Sequence, residues 1–474
     1  MNMKGGKPIG SGGFGCVFRP ALLCEGETRR APGTVTKLMN KQNFNQEEAE
    51  LKKIAPHIAK IPNNEKYFVV TQIKKCIPQS YSQEDLTNFN EVCKPLLKGK
   101  YKTSATYIER DTRNGEYIGL NLPDGGMDVF DYLIESRPSK KDISKFLGSY
   151  MLLIQKGIRP MNIAGVCHFD VKSENMVYNS SLNETKLIDW GFAQFIPETA
   201  PAPILEKPLM QNSPFTILLF YSKPQNNPIL QFFREFLVTD GGGLTTVPLS
   251  TTIRDQAIIA PHKKEIFIKE LSKVFRSSIF FNEDSIVSFF GTRHVLGQFK
   301  YIVRQYFDGK PARLLKCISN QLANVLVEFS YNERGNHFVD FDLTRFFRTV
   351  YRFNVDIYGA LTVIHKLPAP FTEIQKVMEQ LMFGDEYTTK PYVIEDVLTQ
   401  IQMLREMIYP SDAVPTSAPA PTLLTGSALV SRVLKKGLKQ TSIGGKRKKT
   451  KRKRKQKRRK TYKKNKKISS APNS

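Results

Sequence analysis

The chain has 474 residues, 40% of them hydrophobic and 24% charged, an ordinary composition for a folded protein with a large core and two or three domain-sized units. Its formal charge of +27 is concentrated: residues 446–467 hold 17 Lys or Arg and no acid, and subtracting these 17 from +27 leaves +10 on the rest. No apolar run approaches the ~18–20 residues of a membrane helix, and no apolar stretch follows the lysines of Met1–Lys7 as a signal peptide requires. The six cysteines, Cys16, Cys24, Cys76, Cys93, Cys167 and Cys317, form no C-x-x-C pair. That spacing argues against a zinc site, and the scatter leads to an expectation of reduced thiols in an intracellular protein.

In chain order, residues 8–37 read as a strand, a glycine-rich turn and two further strands. Residues 42–55, rich in Glu, Leu, Lys and Ala and followed by Pro56, predict a helix. Residues 66–75, "KYFVVTQIKK", predict a strand; 78–115 predict helix plus loop; 116–122 predict a strand broken by "PDGG". Helices are expected over 128–136 and 142–157, with loop and short strand over 160–192. The four prolines of 197–208 make that stretch a loop. Helical segments and turns follow over 213–350, with "DGGG" at 240–243, and helices again over 351–409. The apolar run Phe215–Tyr221 fits a buried strand or helix segment. The Pro/Ala/Thr/Ser-rich stretch 411–426 has a linker's composition, and the basic tail after it has too little apolar content to offset its ordering entropy.

Several clusters carry chemistry. "GSGGFGCV", Gly10 to Val17, is a G-x-G-x-x-G turn that also occurs as a dinucleotide loop or plain hairpin. Its glycines, Gly10, Gly12, Gly13 and Gly15, let backbone close over phosphates without a Cβ in the way, with Phe14 capping the turn. No acidic ribose reader sits about 20 residues on, because position 35 is Val and 37 is Lys. Lys37 lies inside an apolar, strand-like run, where it is either an edge lysine with its head in water or a paired one. The following helix offers Glu47, Glu48 and Glu50; Glu47 is one turn before Leu51 and shares its inward side, so Glu47 is the expected partner. Next come "HFDVKSEN", His168 to Asn175, and "LIDWG" at 187–191, with Asp189 19 residues after Asp170.

These pieces, in this order and with Val17 after the third glycine, resemble the eukaryotic-type protein kinase family over residues 8–192, with a weaker match at 351–409. The resemblance implies an α+β, bilobal protein-kinase-like fold: a small β-rich N-lobe at 1–120, and hinge, catalytic loop and start of a mainly helical C-lobe at 121–192. After the Asp-Trp-Gly, an expanded activation segment or inserted subdomain would fill 193–350. The remaining C-lobe helices would span 351–409, with a linker at 410–430 and a disordered basic tail at 431–474. It implies an ATP- and Mg2+-dependent transfer to Ser/Thr hydroxyls. Asp170 would orient the substrate hydroxyl and accept its proton, and Lys172 would neutralise charge on the transferring phosphate. Asn175 and Asp189 would bind metal. Lys37, paired with Glu47, would hold the α- and β-phosphates under Gly10, Gly12, Gly13, Phe14, Gly15 and Val17. Leu120 would be the gatekeeper, Asn121, Leu122 and the residues to Asp124 would present backbone to the adenine, and Asp128 would reach the ribose. His168 would be structural, and Asp356 would brace the catalytic-loop backbone.

Three features depart from the family pattern. Phe169 stands where many kinases have the Arg that receives an activation-loop phosphate, which implies activity without that phosphorylation. Asp356 lies 167 positions after Asp189, no A-P-E motif appears, and "QNSPF", Gln211 to Phe215, is the candidate replacement. "NVDIYGALTVIHKL", residues 354–367, resembles the central helix of the large lobe, and the chain after it is short. A compact core with insertions and a Lys/Arg tail is similar to kinases of large DNA viruses that replicate in the cytoplasm, implying host cytoplasm or virion. The tail, 446–467, suits non-specific nucleic-acid binding, nuclear import, or recruitment to acidic surfaces. A non-catalytic kinase-like scaffold that binds nucleic acid, and a small-molecule kinase of the aminoglycoside or choline type, are the alternative readings.

Overall fold

The computed structural model describes residues 6–12, 15–98, 102–205, 211–239, 245–247, 254–258, 261–279, 294–333, 339–365, 367 and 372–410. The expectations for "DGGG", the linker and the basic tail lie outside the described residues. The compact unit runs from Met1 to Asp412.

The chain begins with the hairpin β1 (Lys7–Gly12) and β2 (Gly15–Arg19), followed by β3 (Thr34–Asn40). With β4 (Lys74–Cys76) and β5 (Tyr117–Pro123) they form an antiparallel sheet ordered β1-β2-β3-β5-β4. β3 and β5 pair along their whole length, from Thr34 opposite Pro123 to Asn40 opposite Tyr117. The interior of β3 is buried on both faces, and strand alternation divides its side chains between two cores. Met39, Ile118 and Leu120 join the main core; Cys16, Phe18, Leu38 and Tyr117 join a smaller one with Phe89, Leu96 and Ile108.

Helix α1 (Lys41–Ile58) starts at Asn40, whose side chain accepts the Asn43 N–H, and buries Phe44, Glu47, Leu51, Ile54 and Ile58 at helical spacing. The expected stop at Pro56 is displaced: the proline sits inside the last turn, and the Ala59 N–H closes on Ala55 O.

The expected strand at 66–75 is mostly not in the sheet. The Val69 N–H donates to Leu187 O and the Leu187 N–H to Tyr67 O, so the apolar residues dock along β9 (Glu184–Leu187); only Lys74–Cys76 reaches the sheet. Composition alone does not choose between these pairing partners.

Residues 78–115 form α2 (Gln83–Leu86), α3 (Phe89–Val92), a 3-10 turn Lys94–Leu97 and α4 (Ile108–Arg113). The expectation of reduced thiols is overturned here. Cys16 is bonded to Cys93 and Cys24 to Cys76, leaving Cys167 and Cys317 free. Pairing is set by which segments meet in space: Cys16 lies in β2 and Cys76 in β4, while Cys24 lies in the connection from β2 to β3 and Cys93 between α3 and the turn Lys94–Leu97.

After β6 (Met127–Asp128) come α5 (Val129–Ile134) and α6 (Lys140–Leu152), and the latter continues through a π-turn, Leu153–Ile158, into α7 (Arg159–Ile163). The helical run is longer than the expected 142–157. β7 (Val166–Cys167) pairs with β10 (Gln194–Phe195), and β6, β8 (Met176–Asn179) and β9 form a three-stranded sheet. Phe215–Leu219 is a buried 3-10 turn.

The 213–350 region contains helices Pro228–Thr239, Pro261–Ile279, His294–Tyr306 and Pro311–Glu328, and also a four-stranded antiparallel sheet that was not expected. Helix Arg352–His365 is buried at every residue from Asn354 onward, as a helix at the centre of a core must be. The whole is α+β: a small antiparallel sheet first, a mainly helical part after it. Among the described residues no helix is long and apolar enough to cross a membrane.

Candidate active site

Strand alternation sets the first half of the site. Val17 pairs with Lys37, and Lys37 with Leu120, so these side chains share one face of the sheet with Val35 and Leu122. Asn121 lies on the other face. Its amide contacts the Thr36 hydroxyl at 2.5 Å and Cys24 Sγ at 3.2 Å, so only its backbone is available to the Lys37 side.

Lys37 donates to both carboxylate oxygens of Glu47 at 2.8 Å and to Asp189 Oδ1 at 3.2 Å. Of the three glutamates on α1, Glu48 and Glu50 instead make outer pairs with Lys52 and Lys53. Burial pushes the Lys37 ammonium down, but the charges of Asp189 and Glu47 outweigh it and hold it above the usual lysine value. Burial raises the Glu47 carboxyl, with Lys37 opposing and Asp189 adding to the rise. For Asp189 burial also pushes up, yet Lys37 wins and keeps the group below the ordinary aspartate range.

The second half of the site is the loop from His168 to Asn175. Asp356 is fully buried on the central helix. Its Oδ2 accepts the His168 N–H at 2.9 Å and the Asn162 amide at 2.7 Å, and its Oδ1 accepts the Phe169 N–H at 2.9 Å. This brace holds Phe169 in the left-handed region, at φ 61°, a conformation that costs a non-glycine residue ~1–2 kcal/mol. Asp189, at φ 62°, carries the same kind of strain. Gly359 on the central helix permits the close approach: a Cβ there would lie 2.5 Å from Val171 O and 3.1 Å from Asn212 O. The His168 ring sits between Ile188 O, 3.0 Å from Nε2, and the Asp170 N–H, 3.4 Å from Nδ1. These partners require the tautomer protonated at Nε2. Trp190 is buried against Phe68 and His168, and its indole N–H donates to Val69 O at 2.9 Å.

Asp170 is 3% exposed and fully engaged. Its Oδ2 accepts from Lys172 Nζ and from Asn175 Nδ2, each at 2.8 Å, and its Oδ1 accepts from Asn212 Nδ2 at 2.7 Å. Asn212 was not among the expected site residues. It lies inside "QNSPF", a stretch singled out for another reason, and no local pattern marks it as a partner of Asp170.

The two halves join. The β8–β9 pairing sets Met176 opposite Leu187, and the Ile188 N–H donates to Asn175 O at 2.9 Å, so Asn175 and Asp189 leave the hairpin side by side. Gly12, the last residue of β1, lies beside them: a Cβ there would come 3.9 Å from Asp189 Oδ2. Gly10 and Gly15 flank it in β1 and β2, while Gly13 and Phe14 lie outside the described residues. Asp128 caps α5, accepting the Phe130 N–H at 2.7 Å and the Asp131 N–H at 3.2 Å. Burial pushes its carboxyl up to about 6; those N–H groups oppose the rise, and the charges of Asp131 and Glu174 add to it.

Among the described residues no group of three or more His, Cys, Asp and Glu side chains could hold a metal ion alone. Asn175 spends its amide nitrogen on Asp170, so its amide oxygen and the Asp189 carboxylate are the hard donors left to offer a cation. Two such donors suit a small divalent ion whose other ligands come from water or a bound molecule. No family model matches the chain.

Proposed function

We propose that the chain is a bilobal protein kinase that moves the γ-phosphate of ATP to serine or threonine hydroxyls. One observation carries the reading: Glu47, Lys37 and Asp189 form a single bonded group beside Gly12 of the β1–β2 hairpin, and Asn175 beside it is bonded to Asp170. A lysine held charged next to two carboxylates, with the Cβ-free backbone of Gly12 beside Asp189, is suited to triphosphate oxygens. Val17, Leu120 and Leu122 give an apolar sheet face for a base, and Asp128 lies where a chain segment turns into α5.

Magnesium held by Asn175 and Asp189 would supply neutralisation of the phosphate oxygens. The protein's own groups do the rest. Asp170 orients the attacking hydroxyl; as the oxygen–phosphorus bond forms and the bond to the leaving diphosphate breaks, the hydroxyl proton passes to the Asp170 carboxylate. Lys172, 2.8 Å from that carboxylate, is placed to neutralise charge on the phosphate in flight. Asp356 and Asn212 hold the loop and the carboxylate so that little reorganisation is needed at the moment of reaction.

Residues 193–350 are read as an insertion beside the substrate groove. The tail at 446–467 is read as a nucleic-acid phosphate contact, so its deletion should abolish salt-dependent nucleic-acid binding and leave turnover intact. The test of the main reading is the full chain with γ-labelled ATP, Mg2+ and a protein mixture. Label on Ser and Thr supports the reading; label only on an aminoglycoside or choline, or none at all, overturns it.

A further inference from the structure

We propose that the Cys16–Cys93 disulfide is a redox modification site that fixes the β1–β2 pairing, so that a dithiol reductant of the thioredoxin class of chemistry loosens the strands whose Gly12 lies beside Asp189. Cys16 follows Gly15 directly and lies opposite Leu38, next to Lys37, so the bond is anchored at the base of the glycine turn. Among the described residues β1 is an edge strand, with no further strand on that side to hold the hairpin. Its support comes from α2, α3 and the turn Lys94–Leu97, which pack on β1 and β2.

Those supporting elements are weak by themselves. α2 and α3 are four residues long and α4 is six, far short of the ~12–15 residues at which an isolated helix becomes marginal in water. Three devices tie them down: the small core of Phe18, Leu38, Phe89 and Leu96, the two-bond ion pair of Arg30 with buried Asp85 at 2.9 and 2.6 Å, and the disulfides. Cys16–Cys93 closes a sequence separation of 77 residues and Cys24–Cys76 one of 52, so both remove much freedom from the opened region. The second bond supports the same face of the sheet further along, because the Asn121 amide contacts Cys24 Sγ.

Cys16 and Cys93 are both 0% exposed, so exchange waits on local opening of the short helices. A reductant thiolate then attacks one sulfur and releases the other as a thiolate. The second thiol of the reductant resolves the mixed disulfide. Two electrons and two protons end on Cys16 and Cys93, and the reductant leaves as a disulfide. The reverse reaction, with a protein disulfide as oxidant, re-forms the latch.

The effect on nucleotide rests on the kinase reading; the effect on the hairpin does not. The experiment is amide hydrogen exchange on the full chain, oxidised and after reduction to six alkylatable thiols, alongside Mg-ATP binding in both states. Reduction is expected to speed exchange in 7–19 and 83–98 while 166–188 stays protected, and to weaken Mg-ATP binding about tenfold, the factor for a hairpin correctly placed about a tenth of the time. A Cys16→Ala, Cys93→Ala double variant should exchange like the reduced protein without reductant. Unchanged exchange in 7–19 after verified reduction overturns the latch. Faster exchange with no nucleotide binding in either state keeps the latch and overturns the kinase reading.

Discussion

The Asn212 amide donates to Asp170 Oδ1 at 2.7 Å, across 42 positions of sequence, and both residues are almost wholly buried. The bond fixes one carboxylate oxygen while Lys172 and Asn175 fix the other. Removing the donor frees the carboxylate to rotate. Asn212→Ala is therefore expected to lower kcat by about a hundredfold, the scale for losing one preorganised donor, with the KM for ATP little changed. Steady-state kinetics on the variant checks this; an equal rise in KM with kcat intact would place Asn212 in substrate binding instead.

The glutamates of α1 should separate cleanly. Glu47→Gln keeps the side chain's shape but removes the charge that holds Lys37, and turnover should fall by about a hundredfold. Glu48→Gln removes only an outer partner of Lys52, and such surface pairs contribute ~0–1 kcal/mol, so turnover should not move. Loss of activity in both variants alike would show that Lys37 does not depend on Glu47.

Asp128 gives a pH signature. Its carboxyl is raised to about 6, so it is ionised above that pH and gains a proton as pH falls through it. If the carboxylate accepts from the nucleotide's ribose, affinity should be steady from pH 8 to 7 and decline below about 6. Asn is as good a helix cap as Asp, so Asp128→Asn should preserve α5 while removing the titration. Binding titrations from pH 5 to 8 should show a weaker, flat profile for the variant.

Phe169 bears on activation. It lines a cleft of about 610 Å³ with Phe192, Phe195, Leu205 and Ile217 on one part and Gln46, Glu50, Lys53 and Gln194 on another; no arginine is among the lining residues, and Lys53 is already paired with Glu50. Ser213 and Thr216 are 0% and 3% exposed, out of reach of a modifying enzyme in the folded chain. Phosphatase-treated protein and the exposed-site variant Thr199→Ala should turn over at the untreated rate. Total loss in either would show dependence on a phosphate.

How much of this was legible in the sequence follows from where the information sits. Asp170, Lys172 and Asn175 lie within six residues of one another, so their order alone places them together. Glu47 could be chosen over Glu48 and Glu50 because helical spacing tied it to buried Leu51. Asp356 was legible only through the resemblance, because the apolar spacing of its helix says buried helix and nothing of its partners. Asn212 was not, because its only mark is a contact made after a proline-rich loop. The disulfides were equally hidden, since partners 77 and 52 positions apart meet only once the short helices pack on the sheet. The Tyr67–Val70 stretch misled for a related reason: its β-forming residues are real, but they pair beside β9 rather than within the first sheet.

The most direct test is a pair of measurements on Asp170→Asn: Mg-ATP binding and phosphate transfer to protein. Asn fills the same space and retains an oxygen for its neighbours, but it cannot take a proton. Binding should be close to that of the unaltered chain, while transfer should fall by about a thousandfold, within the range for removing a positioned general base. Transfer at the original rate would contradict the assignment of Asp170 and, with it, the reading of this site as a phosphotransferase centre.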